Sequence, residues 1–350
     1  MTTESTQATI RLATAKGDDS QAGTARLCPK CEQPNSPVQL TQTEYRCVHC
    51  NSELAHIDFA PTGNVRGIFG WLHSVNDIIH NRYQVKMVLG KGGFAATYLV
   101  DDRRLNGKHR ALKEIPESLF DEHETRLLGR LNHPSIPDII DRFVADGMVY
   151  LVLEFGGSRT LGSERKRLGG RIPLDILLPW IRQLCDVLAY LHAQNPPIVH
   201  RDLKPGNILL DDSDRIMLID FGIAKESKVS EATRTIARAA SQGFSPPEQV
   251  LGTGTDQRSD IYALAATLYA MLTGKVPLAV EKRFSGKGLV PPSQLVDGIP
   301  PAVDKAIVQA LDLDADLRPQ TVQAFSRMLE KVEGGAASEP ASIDKTVGLK

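Results

Sequence analysis

Apolar positions divide the chain into two regimes. In the first, apolar residues alternate with polar ones over short runs broken by glycine. Val88–Val100 reads as strand, glycine-rich turn and strand, and Arg110–Ile115 carries apolar residues on alternate positions. Ile139–Ala145 and Met148–Leu153 flank Asp146-Gly147, a hairpin signal. Further on, Ile208–Leu210 and Ile216–Ile219 form another short strand pair. The second regime repeats every three to four residues. Between Asp175 and His192, the residues Ile176, Leu177, Trp180, Ile181, Leu184, Val187, Leu188 and Leu191 make a stripe wide enough for a buried helix, with Cys185 upon it as a core cysteine. Leu119–Leu131 has helical spacing and stops at Asn132-His133-Pro134. Another apolar helix starts at Asp256–Tyr262 and ends near Thr273-Gly274, and the last amphipathic turns end about Val332. From Asn64 to His80, the steps between Val65, Ile68, Phe69, Leu72, Val75, Ile78 and Ile79 predict a helix, so residues 56–81 read as a helical linker.

Composition narrows the class. The 350 residues hold 41 Lys plus Arg against 42 Asp plus Glu, so no global field draws the chain to nucleic acid or an anionic membrane. An apolar content of 41% suffices for a packed core, and no run approaches the length of a membrane span. The first residues lack the basic and apolar regions of a signal peptide, which makes a cytoplasmic location the expectation. Residues 1–25 and 333–350 are poor in large apolar side chains and are expected to be disordered.

Four of the five cysteines stand in two CxxC pairs, Cys28/Cys31 and Cys47/Cys50, fifteen residues apart. Two such knuckles on facing turns complete a tetrahedron of thiolates, and the spacing is that of a structural zinc site. A redox dithiol pair, an iron–sulfur ligand set and four unrelated cysteines are the alternatives. Residues 26–55 therefore read as a zinc ribbon that draws most of its stability from Zn2+, with His49 a bystander. Arg26, Lys30 and Arg46 are too few for a basic, stacking surface, so a protein partner or a regulatory role is expected before nucleic acid.

The densest chemistry lies in His200-Arg201-Asp202-Leu203-Lys204-Pro205-Gly206-Asn207, followed thirteen residues after Asn207 by Asp220-Phe221-Gly222. The pattern H-R-D-x-x-x-x-N and D-F-G fixes many identities at fixed offsets. The chain here resembles the Ser/Thr protein kinase family, in particular the bacterial members built on the eukaryotic-like plan. That resemblance implies an α+β, two-lobed protein kinase fold over residues 82–332, a small antiparallel sheet with one helix above a larger helical lobe. It also implies ATP and Mg2+ as cofactors and protein hydroxyls as acceptors.

Site roles follow from the same resemblance. Asp202 orients or deprotonates the acceptor hydroxyl, Lys204 neutralises the transferred phosphoryl group, and Asn207 and Asp220 hold magnesium. Leu89, Gly90, Lys91, Gly92, Gly93 and Phe94 form the phosphate-covering loop. Ala95 stands where the family has a third glycine, which implies slower or weaker nucleotide handling. Ala111 and Lys113 match the third strand, with Lys113 on the α- and β-phosphates. Glu124 corresponds to the helix glutamate that pairs with it, and Glu122 competes for that role. Leu153 takes the gatekeeper position, and Glu154 and Phe155 the hinge. Residues 156–172, rich in glycine and basic side chains, read as a solvated loop bordering the cleft. Arg201 is placed to grip a phosphorylated activation loop, with Thr233 and Thr235 as its first candidate phosphosites. Ser241 contacts the catalytic residues, Asp260 braces the catalytic loop, and Arg318 pairs with Glu248. A zinc-ribbon adaptor using an inactive kinase fold as scaffold is the competing class, opposed by the intact Lys113, Glu124, Asp202, Asn207 and Asp220.

Overall fold

The computed structural model describes residues 78–330 apart from 92–94, 118–119, 121 and 222–242, together with residues 25–28 and scattered positions from 31 to 77. The chain divides into two units, Met1–Asp77 and Ile78–Lys350.

In the first unit, β1 (Arg26–Leu27) pairs antiparallel with β2 (Pro34–Asn35), and β3 (Asp58–Phe59) with β4 (Val65–Gly67). The helix expected over 64–80 is not formed at the described positions. Val65–Gly67 is strand, Asn76 has a φ of 75°, and Ile78–Ile79 forms β5, the first strand of the second unit. Steps of three and four between apolar residues suit a helix face, but they also suit short strands separated by turns. Ladder pairing decided between them, with His80 and Asn81 both at φ 52° turning the chain into the next strand.

The second unit opens with β6 (Tyr83–Lys91), β7 (Ala96–Asp102), β8 (Lys108–Pro116), β9 (Ile139–Ala145) and β10 (Met148–Glu154). With β5 they build one antiparallel sheet in the order β5-β6-β7-β8-β10-β9. The two-residue period sorts the side chains. Tyr98, Leu112 and Val152 occupy neighbouring positions on one face and are fully buried, whereas Ala111, Lys113 and Leu153 fall on the other and stay half-open. The half-open face is the roof of a cleft. Helix α1 (Glu122–Leu128) lies in the connection from β8 to β9.

Below the cleft the chain is helical: α2 (Leu161–Arg167), α3 (Leu174–His192), α4 (Pro247–Leu251), α5 (Gln257–Thr273), α6 (Val280–Phe284), α7 (Pro301–Ala310) and α8 (Val322–Glu330). Helix α5 is the central post. Every residue from Ser259 to Thr273 is buried, so a solvent-facing stripe is absent and the pattern reads as a core helix. Asp256 and Ser259 form its capping box, and Gly274 closes it at φ 73°. The apolar stripe of α3 packs into the same core, which includes Leu184, Leu188, Leu264 and Phe325. A small sheet of β11 (Arg159–Thr160), β12 (Ile208–Leu210) and β13 (Ile216–Leu218) sits beside it.

The solvated loop expected over 156–172 is corrected by β11 and α2. Glu164, 3% exposed, takes Arg167 at 2.6 Å and Arg159 at 3.2 Å, while Arg165 donates to the Gly274 carbonyl at 2.8 Å. Three of its basic residues are thus spent on folding.

Candidate active site

The loop before β12 carries the candidate acid–base residues, and its shape is set from beneath by α5. Asp260, wholly buried on that helix, accepts the backbone N–H of His200 at 2.8 Å and that of Arg201 at 2.9 Å. His192, the last residue of α3, donates to the same carboxylate from Nε2 at 2.9 Å. Arg201 then takes φ 67°, a costly left-handed conformation for a side chain of its size, which the two amide bonds hold in place. His200 continues the scaffold. Its Nδ1 accepts the Asp202 amide at 3.3 Å and its Nε2 donates to Ile219 O at 3.2 Å, while burial pushes its basicity down and keeps the ring neutral.

Asp202 emerges at the surface of this scaffold, 9% exposed. Its Oδ2 receives Lys204 Nζ at 3.0 Å and Asn207 Nδ2 at 3.0 Å, and Asn207 Nδ2 also donates to the Asp202 carbonyl at 2.8 Å. Asn207 is thereby fixed with its amide nitrogen inward and its Oδ1 left as an acceptor. The Asn207 carbonyl takes the Ile219 amide at 3.0 Å, which links this loop to the segment leading to Asp220.

Asp220 adopts φ 55° and is 53% exposed on its side chain, while Phe221 is buried with its ring 4.8 Å from that of His200. Across the cleft, Lys113 on β8 reaches Asp220 Oδ1 at 3.1 Å. One oxygen of Asp220 and the Oδ1 of Asn207 are thus hard, oxygen-type donors, which is the ligand chemistry that magnesium takes.

The other expected residues fall as follows. Leu89 and Gly90 end β6, Ala111 lies two residues before Lys113, and Leu153 and Glu154 end β10. Phe155 follows, its ring edge-on to His109 at 6.0 Å. Glu122 pairs with Arg126 at 3.1 Å and with Arg142 at 3.5 Å. Gly92, Gly93, Phe94, Gly222, Thr233, Thr235 and Ser241, with the side chains of Lys91 and Glu124, lie outside the described residues. Glu248 and Arg318 form a two-point ion pair at 2.9 and 3.0 Å.

Three features have no counterpart in the sequence reading. His192 shares Asp260 with the catalytic loop, across 68 positions of chain. Glu114, 1% exposed, receives Tyr98 Oη at 2.5 Å and Tyr150 Oη at 2.7 Å on the face opposite Lys113. Gly156 and Gly157 lie against the β12–β13 hairpin: a Cβ added to the first would sit 2.4 Å from Met217 Sδ, and one added to the second 2.3 Å from Leu210 O. Only the glycine pair was visible beforehand, as composition without a contact.

In the first unit, the ligand atoms of Cys28, Cys31, Cys47 and Cys50 lie within 4.8 Å of one another. Cys28 and Cys50 are 3.6 Å apart, as are Cys31 and Cys47, and all four are free of disulfides. A tetrahedron of sulfurs about 2.3 Å from a zinc ion has edges of about 3.8 Å, so the set fits. The thiols are electrically inequivalent. Cys47 is drawn down to about 6, because the amides of His49 and Cys50 and the Asn35 side chain outweigh its burial. Cys31 is pushed up to about 12: the Gln33 amide favours its thiolate, but burial and the three neighbouring sulfurs oppose it. Four sulfurs this close ionise together only around a cation. His49 turns instead to Pro34 O, at 3.1 Å from Nε2.

Comparison with known proteins agrees with this geometry. The family model described as protein kinase domain matches residues 83–323. A probable serine/threonine-protein kinase of Clostridium acetobutylicum is 31% identical over 288 residues, covering 78% of this chain and 43% of that protein. Serine/threonine-protein kinase PknB of Mycobacterium leprae is 28% identical over 284 residues, covering 76% of this chain and 45% of that protein. The chain thus spans less than half the length of these curated relatives. Among solved structures, the apo form of PpkA-294 superposes with a TM-score of 0.62 at 24% identity, over 73% of this chain and 99% of that one, a likeness of fold. The PknI kinase domain of Mycobacterium tuberculosis gives 0.55 at 25% identity, over 74% of this chain and 99% of that one. Among the described residues no helix is long and apolar enough to cross a membrane. With the family model spanning well over half its length, this chain belongs to the protein kinase family, and its kinase domain is of the bacterial serine/threonine type.

Proposed function

We propose that the protein transfers the γ-phosphoryl group of ATP to serine or threonine hydroxyls of protein substrates in the cytoplasm. The observation that carries this reading is the preformed loop in which Asp202 is held by Asn207 and Lys204 while its backbone hangs from Asp260. The Asp202 carboxylate orients the acceptor hydroxyl and takes its proton as the oxygen attacks. Lys204, 3.0 Å from that carboxylate, offsets charge on the phosphoryl group in flight. Lys113 supplies a cation from the roof of the cleft. Asn207 Oδ1 and Asp220 would hold Mg2+, which when bound neutralises phosphate charge. Leu89 to Phe94 would cover the phosphates, with Ala111, Leu153, Glu154 and Phe155 around the adenine.

Autophosphorylation at Thr233 or Thr235, which Arg201 would grip, is part of the same proposal, as is a contact of Ser241 with the catalytic residues. Glu124 is the proposed partner of Lys113. Cys28, Cys31, Cys47 and Cys50 would hold Zn2+ in a structural ribbon that serves regulation or docking of a protein partner. The test is phosphate transfer from labelled ATP with magnesium, wild type against Asp202→Ala, with sites mapped by mass spectrometry. Removing a general base lowers turnover by about 10²–10⁴-fold. Incorporation on Ser or Thr that is retained by the variant, or absent from both proteins with nucleotide bound, overturns the reading in favour of a scaffold.

A further inference from the structure

Among the described residues, the four-sulfur cluster has almost no apolar core around it. The described residues that pack on Cys28 and Cys47 are Cys31 and Cys50 themselves. Bringing two knuckles separated by sixteen positions into one sulfur tetrahedron therefore depends on polar ties between them. Asn35, at the end of β2 and 0% exposed, makes the buried one. Its Oδ1 accepts the Val48 amide of the second knuckle at 2.9 Å, and its Nδ2 donates to Gln33 O beside the first at 3.0 Å. Gln33 O also takes the Cys28 amide at 3.0 Å, so the same carbonyl anchors the first cysteine. The Asn35 side chain further bonds to the Cys47 sulfur. One amide thus contacts both knuckles and a ligand atom. An asparagine with no access to water and every polar atom committed is poorly explained as a turn residue, since Asn in a plain turn keeps its side chain local and wet.

We propose that Asn35 is the positioning residue of a closed four-thiolate metal centre: it sets the distance between the two knuckles and donates a hydrogen bond to the Cys47 thiolate. The assignment rests on the zinc reading given above. Outer-sphere partners of this kind orient the ligands and are worth about 10–100-fold in metal affinity. An N–H···S bond also withdraws charge from the thiolate, so its loss shows in the metal's electronic spectrum.

The test uses the full chain, stripped of metal and titrated with Co2+ and then Zn2+ against a chromogenic chelator. Asn35→Ala removes every bond of the side chain. Asn35→Asp keeps the acceptor for Val48 N and loses both donations. Wild type is expected to bind one Co2+ with the intense sulfur-to-metal charge-transfer absorption of four thiolates. Asn35→Ala is expected to bind about 10–100-fold more weakly with that absorption displaced. Asn35→Asp is expected to lie between in affinity and to show the same displacement, because the donation to Cys47 is lost in both. Should Asn35→Ala disturb the ribbon's folding, metal binding and folding remain one equilibrium and the loss still registers as affinity. Wild-type affinity and an unmoved spectrum in both variants overturn the role of Asn35. A wild-type chain that takes up neither Co2+ nor Zn2+ overturns the zinc reading itself.

Discussion

Arg318 offers the sharpest test of how the helical lobe is held. Its side chain is 0% exposed and places two nitrogens on the Glu248 carboxylate at 2.9 and 3.0 Å. A third nitrogen donates to Asp312 O at 2.8 Å, and the guanidinium lies 5.0 Å from the centre of the Tyr262 ring. Ser259 donates to the same carboxylate at 2.6 Å, so Glu248 is anchored to the first turn of α5 as well. Arg318→Met removes one charge of a buried pair and strands the other, at a cost of about 3–5 kcal/mol. For a domain of this size that lowers Tm by roughly 6–20 °C. Glu248→Gln keeps shape and loses charge-assisted bonds, costing about 1.5–3 kcal/mol. Because the two residues share one interaction, the double variant is expected to cost less than the sum by at least about 1 kcal/mol. The pH dependence carries its own sign. Burial raises the Glu248 carboxyl, but hydrogen bonds from Arg318 and Ser259 outweigh it and leave the folded value below 4.5. The folded state therefore binds its proton later than the unfolded one, and the pair's contribution is present above pH 4.5 and lost as pH falls through the lower folded value. Urea denaturation of the four proteins across this range checks both points. A cost under about 0.5 kcal/mol for Arg318→Met, or strict additivity in the cycle, refutes the argument.

Gly157→Ala puts a Cβ 2.3 Å from Leu210 O at a φ of 109°, whereas Gly169→Ala at φ 83° meets nothing within 4 Å. The second is expected to cost about 1–2 kcal/mol from backbone strain alone and the first distinctly more, measured by urea denaturation; equal costs deny the close approach. Tyr150→Phe takes one of two hydroxyl donors from the buried Glu114 carboxylate and is expected to cost about 1–3 kcal/mol, with Tyr98→Phe alike, read by thermal melting against wild type. Asp260→Asn turns a donor toward at least one of the donors it now satisfies. Misplacing the catalytic loop in this way should lower kcat by on the order of 10²-fold with little change in the KM for ATP, and an unchanged kcat refutes the bracing role.

The candidate catalytic residues could be singled out from sequence because they stand close together along the chain. His200 to Asn207 span one loop, and Asp202, Lys204 and Asn207 meet within it at 3.0 Å. The strands were legible wherever one face is buried, as in β7 and β8, since a period of two leaves few alternatives. Residues 64–80 failed for the opposite reason. Spacings of three and four are shared by helices and by short strands between turns, and the contact that chose between them, Ile79 opposite Tyr83, is set by pairing. The basic stretch 159–171 misled because charge suggested solvent, whereas Arg159 and Arg167 close on buried Glu164. His192 and Glu114 were invisible for want of any local mark. Their partners lie 68 and 36 residues away, and only folding shows that they meet.

The two sides of the cleft differ in how firmly they are held, and the difference is built into their partners. The proposed base, Asp202, follows His200 and Arg201, whose two backbone amides hang from a carboxylate on a helix whose residues 259–273 are all buried. Moving Asp202 means dragging part of α5 through a packed core, where displacement is resisted on every side. Asp220 is held less directly, through the neighbouring Ile219, whose amide bonds Asn207 O at 3.0 Å and whose carbonyl takes His200 Nε2 at 3.2 Å. Its side chain is 53% exposed, its backbone stands at φ 55°, and it meets the sheet through Lys113 at 3.1 Å. A shift of the sheet over the helical lobe therefore breaks the Lys113–Asp220 contact well before it disturbs the base. On the roles proposed above, the proton acceptor is a fixed part of the scaffold, and the contact between Lys113 and Asp220 across the cleft is the one left to vary.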